Sequence, residues 1–316
     1  MATYTIKKGL NLPIAGSTST TDCVQGAAAQ QVALLPQEAW GIKVQMLVAV
    51  GDQVKVGSPL FCDRRDPDVI FTSPAAGAVA AVNRGARRAV QSVVVDVANF
   101  DEHAEMPSSD GSRASLVATL AASGLWPNLR QRPFDKVALS GTTPQAIFVT
   151  ATDTNPLAVD PLHLVAGREA DVQAGLKAML TLSGGKVYFN TDGANDWSAF
   201  LVEGVEQHGF KGPHPAGNAG VHINALHPVN LERNVWHVDV QNLADMGAYL
   251  NSGKVPTARK VAVVGPAASK SEIVETQRGA SMNVFSSYAN STVRFVSGSL
   301  LAGATANPGE EKGFLG

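Results

Sequence analysis

The stretch Gly212-Pro213-His214-Pro215-Ala216-Gly217-Asn218-Ala219-Gly220-Val221-His222 concentrates more chemically suggestive residues than any other in this chain. Its glycines let a backbone approach a ligand or a neighbouring loop, and its prolines reduce the entropy lost on ordering. Ligand contact and a purely structural turn both account for it. His208, His214, His222, His227 and His237 gather in the same region, which raises the question of a metal. Zinc sites pair their ligands more tightly, so the spacing argues against one. A second segment, Gly124-Leu125-Trp126-Pro127-Asn128-Leu129-Arg130-Gln131-Arg132-Pro133-Phe134, mixes two aromatics with two arginines. Such a set can stack on a planar ring and bond its carbonyls. The alternative is Trp126 as a core anchor with solvated arginines. Asp153-Thr154-Asn155-Pro156-Leu157 follows a predicted strand, where open α/β sheets take ligands, although Asp and Asn before proline also build turns unaided. Asp153, Asn155, Gly212 and Gly217 are therefore the candidate cleft-loop residues. Arg84, Arg87 and Arg88 form a basic turn suited to an anion or an acidic partner, or simply to solvent.

Other chemistries are excluded by what is missing. The sequence has no GxGxxG after a strand, no GxxxxGK[ST], no GxSxG and no HExxH, so the common phosphate, hydrolase and zinc-protease signatures are absent. Cys23 and Cys62 are the only cysteines, too few for a cluster held by four thiolates. Net charge is −2 and no Lys/Arg block stands out, which leaves no footprint for nucleic acid. No apolar run approaches the roughly 20 residues of a membrane span, and the amino terminus lacks a secretory pattern, so a cytosolic face is expected.

The elements that must position these residues fall into three regimes within 316 residues. Residues 1–105 are β-rich, with short β-branched runs punctuated by Gly51, Gly57, Pro74 and Gly77. Val50-Gly51-Asp52-Gln53-Val54-Lys55-Val56-Gly57-Ser58-Pro59-Leu60 and Ser73-Pro74-Ala75-Ala76-Gly77-Ala78-Val79 resemble the two halves of a biotinyl/lipoyl-type barrel-sandwich hybrid. A carrier domain would present a modifiable lysine at a hairpin tip, and the turns here show no lysine flanked in the carrier manner. Residues 101–256 are acidic and open with a polar linker, Asp101 to Arg113; over 112–256 strand and helix then alternate. Helices are predicted from Ser112 or Ser115 to Ala122, from Asp160-Pro161 continuously past Met179, from Asn195 or Asp196 to Gln207, and over Leu243–Leu250 before Gly253. Strands are predicted over Ala146–Ala151, Lys186–Asn190 and Asn234–Val240. This describes an α/β layer on a largely parallel sheet. Residues 257–316 open with the strand Lys260–Val264, offer a helical turn over Ile273–Gly279, and fit a small β-grasp-like module.

Five ordered motifs carry a family resemblance: Thr5-Ile6-Lys7-Lys8-Gly9-Leu10-Asn11-Leu12-Pro13-Ile14-Ala15-Gly16, Phe71-Thr72-Ser73-Pro74-Ala75-Ala76-Gly77, Val82-Asn83-Arg84-Gly85-Ala86-Arg87-Arg88, Asp153-Thr154-Asn155-Pro156-Leu157 and Gly212-Pro213-His214-Pro215-Ala216-Gly217. Together they closely resemble the A subunit of the bacterial sodium-translocating NADH:quinone oxidoreductase. Members of that family extend beyond the position of Gly316, so the resemblance implies a chain cut at its carboxyl side. It implies a peripheral subunit on the cytoplasmic side of the inner membrane, in a complex that oxidises NADH, reduces ubiquinone and exports sodium. It further implies an α/β domain like the flavoprotein subunit of complex I, flavins and iron–sulfur centres on partner subunits, and no cofactor on this chain. The flavin loop of those relatives corresponds to Ser123-Gly124-Leu125-Trp126-Pro127-Asn128-Leu129-Arg130, which lacks their glycine series. A quinone needs an apolar slot and donors for its carbonyl oxygens. Trp126, Arg130, Phe134, His214 and His222 are the candidates. A non-catalytic scaffold within the same complex is the second expectation.

Overall fold

Strand-forming runs and capped helices alternate through the middle of the chain. The computed structural model, which describes residues 1–18, 21–289 and 293–316, gathers them on one seven-stranded sheet. Its strands in chain order are β1 (Ala2–Thr5), β2 (Arg130–Arg132), β3 (Lys136–Val137), β4 (Ala146–Ala151), β5 (Lys186–Thr191), β6 (Val205–Lys211) and β7 (Val235–Asp239). In space they run β1-β6-β5-β4-β7-β2-β3. The first five of that order are mutually parallel, while β2 is antiparallel to β7 and to β3. All parallel strands therefore end on the same edge, and the order reverses between β4 and β7. Open sheets take ligands beyond the strand ends at such a reversal.

The helices are α1 (Arg113–Ala122), α2 (Pro161–Val165), α3 (Glu169–Leu182), α4 (Ala219–Leu226) and α5 (Val240–Ser252). Residues Ala146, Phe148, Tyr188 and Val235 bury one sheet face against Ile223 of α4. Ser112 caps α1 through the Ser115 amide, and Asp160 caps α2 with Pro161 in the first turn. Asp239 caps α5, which stops at a left-handed Gly253. The caps at Ser112 and Asp160 and the stop at Gly253 follow the sequence expectation, whereas α5 begins at Val240, within the strand expected over Asn234–Val240. The single long helix past Asp160 does not form: Gly167, at φ 80, separates α2 from α3. Nor do residues 195–207 form a helix. A short turn over Ser198–Phe200 gives way to β6, whose partner β1 lies some two hundred residues away in sequence. Ile273–Gly279 is likewise extended, because Glu272–Gln277 pairs antiparallel with Ala258–Val263.

The remaining strands among the described residues form four smaller sheets, two of them those of a barrel-sandwich hybrid. One orders Gln31–Leu34, Val90–Asn99, Ala76–Arg84 and Gln53–Val54; the other, Val44–Met46, Pro59–Asp63 and Asp66–Thr72. Their inward residues Val32, Leu60, Phe61, Val69, Val79, Val93 and Val95 are fully buried, with Phe61 stacked on Phe71 at 4.6 Å. The compact units cut across the linear division 1–105, 112–256 and 257–316. Met1–Leu12 group with Met106–Asn155 and Asp160–Pro256, whereas Pro13–Glu105 group with Pro156–Val159 and Thr257–Gly316. Strand pairing is the cause: Ala2 to Thr5 lie opposite His208 to Lys211, and Cys23–Gln25 opposite Ile273 to Glu275.

Candidate binding crevice at the strand ends

Two of the loops singled out in the sequence meet beyond β4 and β6. Thr154 joins them: its Oγ1 accepts the Gly217 N–H at 2.9 Å and lies 3.3 Å from His214 Nδ1. Asp153 shapes its own loop by accepting the Asn155 backbone and side-chain amides at 2.8 and 2.7 Å. Glycine is required where the loops touch. A Cβ on Gly217 would stand 2.7 Å from Thr154 N, and one on Gly212, at φ 133, would stand 2.1 Å from Ile6 O. The amino-terminal segment completes the wall, with Leu10 N–H donating to His214 O at 2.9 Å.

The hydrogen bonds fix what each histidine can offer. His222 is fully buried on α4, its ring 4.1 Å from that of Phe210, and its Nε2 is 2.8 Å from Ala216 O. A carbonyl only accepts, so Nε2 carries the proton and the buried Nδ1, partnerless among the described residues, presents a lone pair. Burial pushes its pKa down to about 4, although the Ala216 bond works the other way. Such a ring accepts a hydrogen bond and cannot donate to a quinone oxygen. His214 is the opposite case. Thr154 Oγ1 accepts from Gly217, and in the tautomer in which its hydroxyl donates to His214 Nδ1 the His214 Nε2–H is left for a ligand.

The other sequence candidates lie towards the β2 edge. Trp126 is sealed in the core, edge-on to Trp236 at 5.4 Å, with its N–H bonded to Ala138 O at 2.7 Å. It therefore has no ring face or donor for a ligand. Arg130 is half-buried and donates to Asp135 O at 3.0 Å. Phe134 is 61% exposed on the β2–β3 hairpin. Behind it stands a cluster that sequence reading misses. His237 Nε2 and Arg132 Nε lie 2.9 and 3.2 Å from Asp135 Oδ1, and the two nitrogens are 3.2 Å apart. Burial, outweighing the Asp135 bond, lowers the His237 pKa, so the ring is neutral and its Nε2–H donates to Asp135. Arg132 Nε then bonds Asp135 rather than the histidine. Burial opposes ionisation of Asp135, yet the His237 bond and the Arg132 charge hold its carboxyl below the ordinary value. No local signal links Asp135 to His237, which are 102 residues apart. Among the described residues no group of three or more His, Cys, Asp or Glu side chains could hold a metal ion, and no helix is long and apolar enough to cross a membrane.

Fold and crevice together define a mixed α/β protein, a barrel-sandwich hybrid combined with an open-sheet domain in which two loops beyond the strand ends meet at Gly217. The pattern of the NqrA N-terminal barrel-sandwich hybrid domain matches residues 4–98, and that of the NqrA second alpha/beta domain matches residues 111–255. The chain belongs to the NqrA family, the A subunits of the Na(+)-translocating NADH-quinone reductase. It is 42% identical over 312 residues to the Vibrio atlanticus member, covering 96% of this chain and 69% of the relative. The Saccharophagus degradans protein is 40% identical over 312 residues with the same coverage, and the Rhodopirellula baltica protein 39% over 323 residues, covering 98% and 70%. Among solved structures, an NAD+-reducing [NiFe]-hydrogenase in the H2-reduced state aligns remotely, at TM-score 0.37 and 14% identity, over 50% of this chain and 35% of that one.

Proposed function

We propose that this chain acts as the peripheral, cytoplasmic-side A subunit of a sodium-translocating NADH:ubiquinone reductase. In this role it contributes a quinone-binding surface, and flavins and iron–sulfur centres reside on partner subunits. The observation that carries the reading is the Thr154–His214 contact, which aims an imidazole donor outward at the ligand edge of the sheet. Ubiquinone presents two carbonyl acceptors on a planar ring, and exposed Phe134 with Arg130 and Arg132 supplies a face and further donors on the same domain. The segment equivalent to the flavin loop supports the absence of a flavin on this chain. Leu125, Trp126 and Leu129 are all fully buried there, so side chains occupy the space that a phosphate cradle keeps as bare backbone. Residues 112–256 then form a domain of the complex I flavoprotein type, between the β domain 1–105 and a β-grasp-like 257–316. Equilibrium binding of a ubiquinone analogue to the assembled complex tests the proposal. Saturable binding weakened by H214A supports it, and an absence of saturable binding removes the quinone role. A stoichiometric flavin spectrum on the purified chain would overturn the cofactor assignment. The scaffold reading keeps one observation in its favour, the withdrawal of Trp126 into the core; assembly that survives a crevice substitution which abolishes analogue binding would reject it.

A further inference from the structure

The hairpin joining Ala76–Arg84 to Val90–Asn99 turns on two arginines in the left-handed region, Arg87 at φ 56 and ψ 25 and Arg88 at φ 60. Three backbone bonds close it: Gly85 N to Ala89 O at 2.9 Å, Arg88 N to Gly85 O at 3.1 Å and Ala89 N to Ala86 O at 3.2 Å. Two-residue turns with both central residues at positive φ favour Asn-Gly, because a Cβ is strained there. Nothing in the hairpin's own architecture asks for arginine at either place.

The fold does use arginine at its other basic tip. Arg65, between Pro59–Asp63 and Asp66–Thr72, pairs with Asp63 at 3.1 Å and donates to Gly41 O. Arg87 and Arg88 play no such part. Both are exposed, and neither their side chains nor that of Arg84 pairs with any carboxylate among the described residues. Arg84 instead braces the turn, its Nη1 donating to Arg88 O at 3.0 Å. Gln91 closes the other side, its amide lying where a Cβ on Gly85 would fall.

We infer that the Arg84–Arg88 turn is a preformed docking tip for an acidic surface on a partner protein. A strained, braced turn holding unpaired guanidinium groups loses little freedom when carboxylates arrive, and their fork geometry suits bidentate pairing. A membrane surface fits less well. Stable attachment to anionic lipid takes clusters of about four to eight cations, and this turn has three, flanked only by Ala86 and Ala89. The inference rests on the functional reading above, the partner being one of the other proteins of the same assembly.

The test is R87N/R88G in the full chain, which removes two charges and installs the preferred turn, so misfolding cannot explain a loss. Binding to the remaining subunits is measured at low and at physiological ionic strength, beside binding to phosphatidylglycerol vesicles and the thermal midpoint. Expected are a roughly tenfold weaker association with reduced salt dependence, an equal or higher midpoint, and no vesicle binding by either form. Wild-type affinity in the variant overturns the docking tip and leaves the functional reading standing. Failure of the wild-type chain to bind the other subunits overturns both, and vesicle binding lost in the variant replaces the protein partner with lipid.

Discussion

Gly217→Ala is the sharpest probe of the crevice. The added methyl would meet Thr154 N at 2.7 Å, Asp153 Cα at 3.1 Å and Thr154 Oγ1 at 3.1 Å. The closest of these is backbone, so no side-chain rotation relieves the clash and the two loops must part. Overpacking of this kind costs about 1–3 kcal/mol, and losing the Gly217–Thr154 hydrogen bond adds about 1 kcal/mol. The expected loss of stability is therefore about 2–4 kcal/mol, read as a lowered urea midpoint at unchanged slope. Thr154→Val keeps the shape and removes the hydroxyl. It leaves the Gly217 N–H unpaired at a cost of about 1–3 kcal/mol and frees the His214 ring to rotate. Because both changes break one bond, the double variant should lose about 1 kcal/mol less than the sum. Both should weaken binding of a quinone analogue. A G217A protein within about 0.5 kcal/mol of wild type, or strict additivity in the cycle, would refute the claim that this contact locks the loops.

Acid should destabilise the protein through His222. The unfolded ring takes up a proton as the pH falls through 6.5, whereas the folded ring resists until about 4. Stability is thus lost as the pH drops across that window, by about 3 kcal/mol. His237, also lowered by burial, acts in the same direction, so urea midpoints should flatten in H222Q and flatten further in H222Q/H237Q. Arg168→Met should cost about 3 kcal/mol by thermal unfolding, because Arg168 pairs at 2.8 Å with the fully buried Asp245 of α5. Trp126→Phe should lower stability by about 1–3 kcal/mol through the orphaned Ala138 carbonyl while leaving analogue affinity intact. Phe134→Ala should do the reverse, and matched effects of the two on affinity would contradict the division of the candidates drawn above.

How much of this is legible in the sequence follows from how local each determinant is. Asp160-Pro161, Ser112 and the Asp239 to Gly253 frame act within one turn of their helices, so caps and stops can be read residue by residue. The break at Gly167 cannot, because Leu162, Val165, Val172 and Leu176 keep a helical period across it. Strand β6 and Glu272–Gln277 each have one near partner, β5 and Ala258–Val263, but their other edges are completed by Ala2–Thr5 and Cys23–Gln25, some two hundred residues or more away in the chain. Parallel pairing over such separations leaves no pattern in either segment alone. The same long-range pairing redistributes the amino terminus between the two units.

The crevice shows the same division at the level of side chains. Its glycines are legible because close approach of backbones leaves few other residues possible, and Gly217 and Gly212 stand where a Cβ cannot. The roles of the polar residues are not, since a histidine's chemistry is decided by which atom its neighbours claim. His214 and His222 look equivalent in sequence. Thr154 can donate to the first and leave it a donor, and the Ala216 carbonyl makes the second an acceptor. A quinone asks for a donor, whereas the hydroxyl of a reduced quinol can supply one. On the proposed quinone role it is His214 that would hold the oxidised carbonyl, since His222 is fully buried against Phe210. Replacing His214 by Phe should weaken binding of an oxidised quinone analogue more than binding of its quinol, by roughly tenfold for one lost hydrogen bond to a buried partner. Equal losses for the two forms would show that the ring serves only to pack the loop.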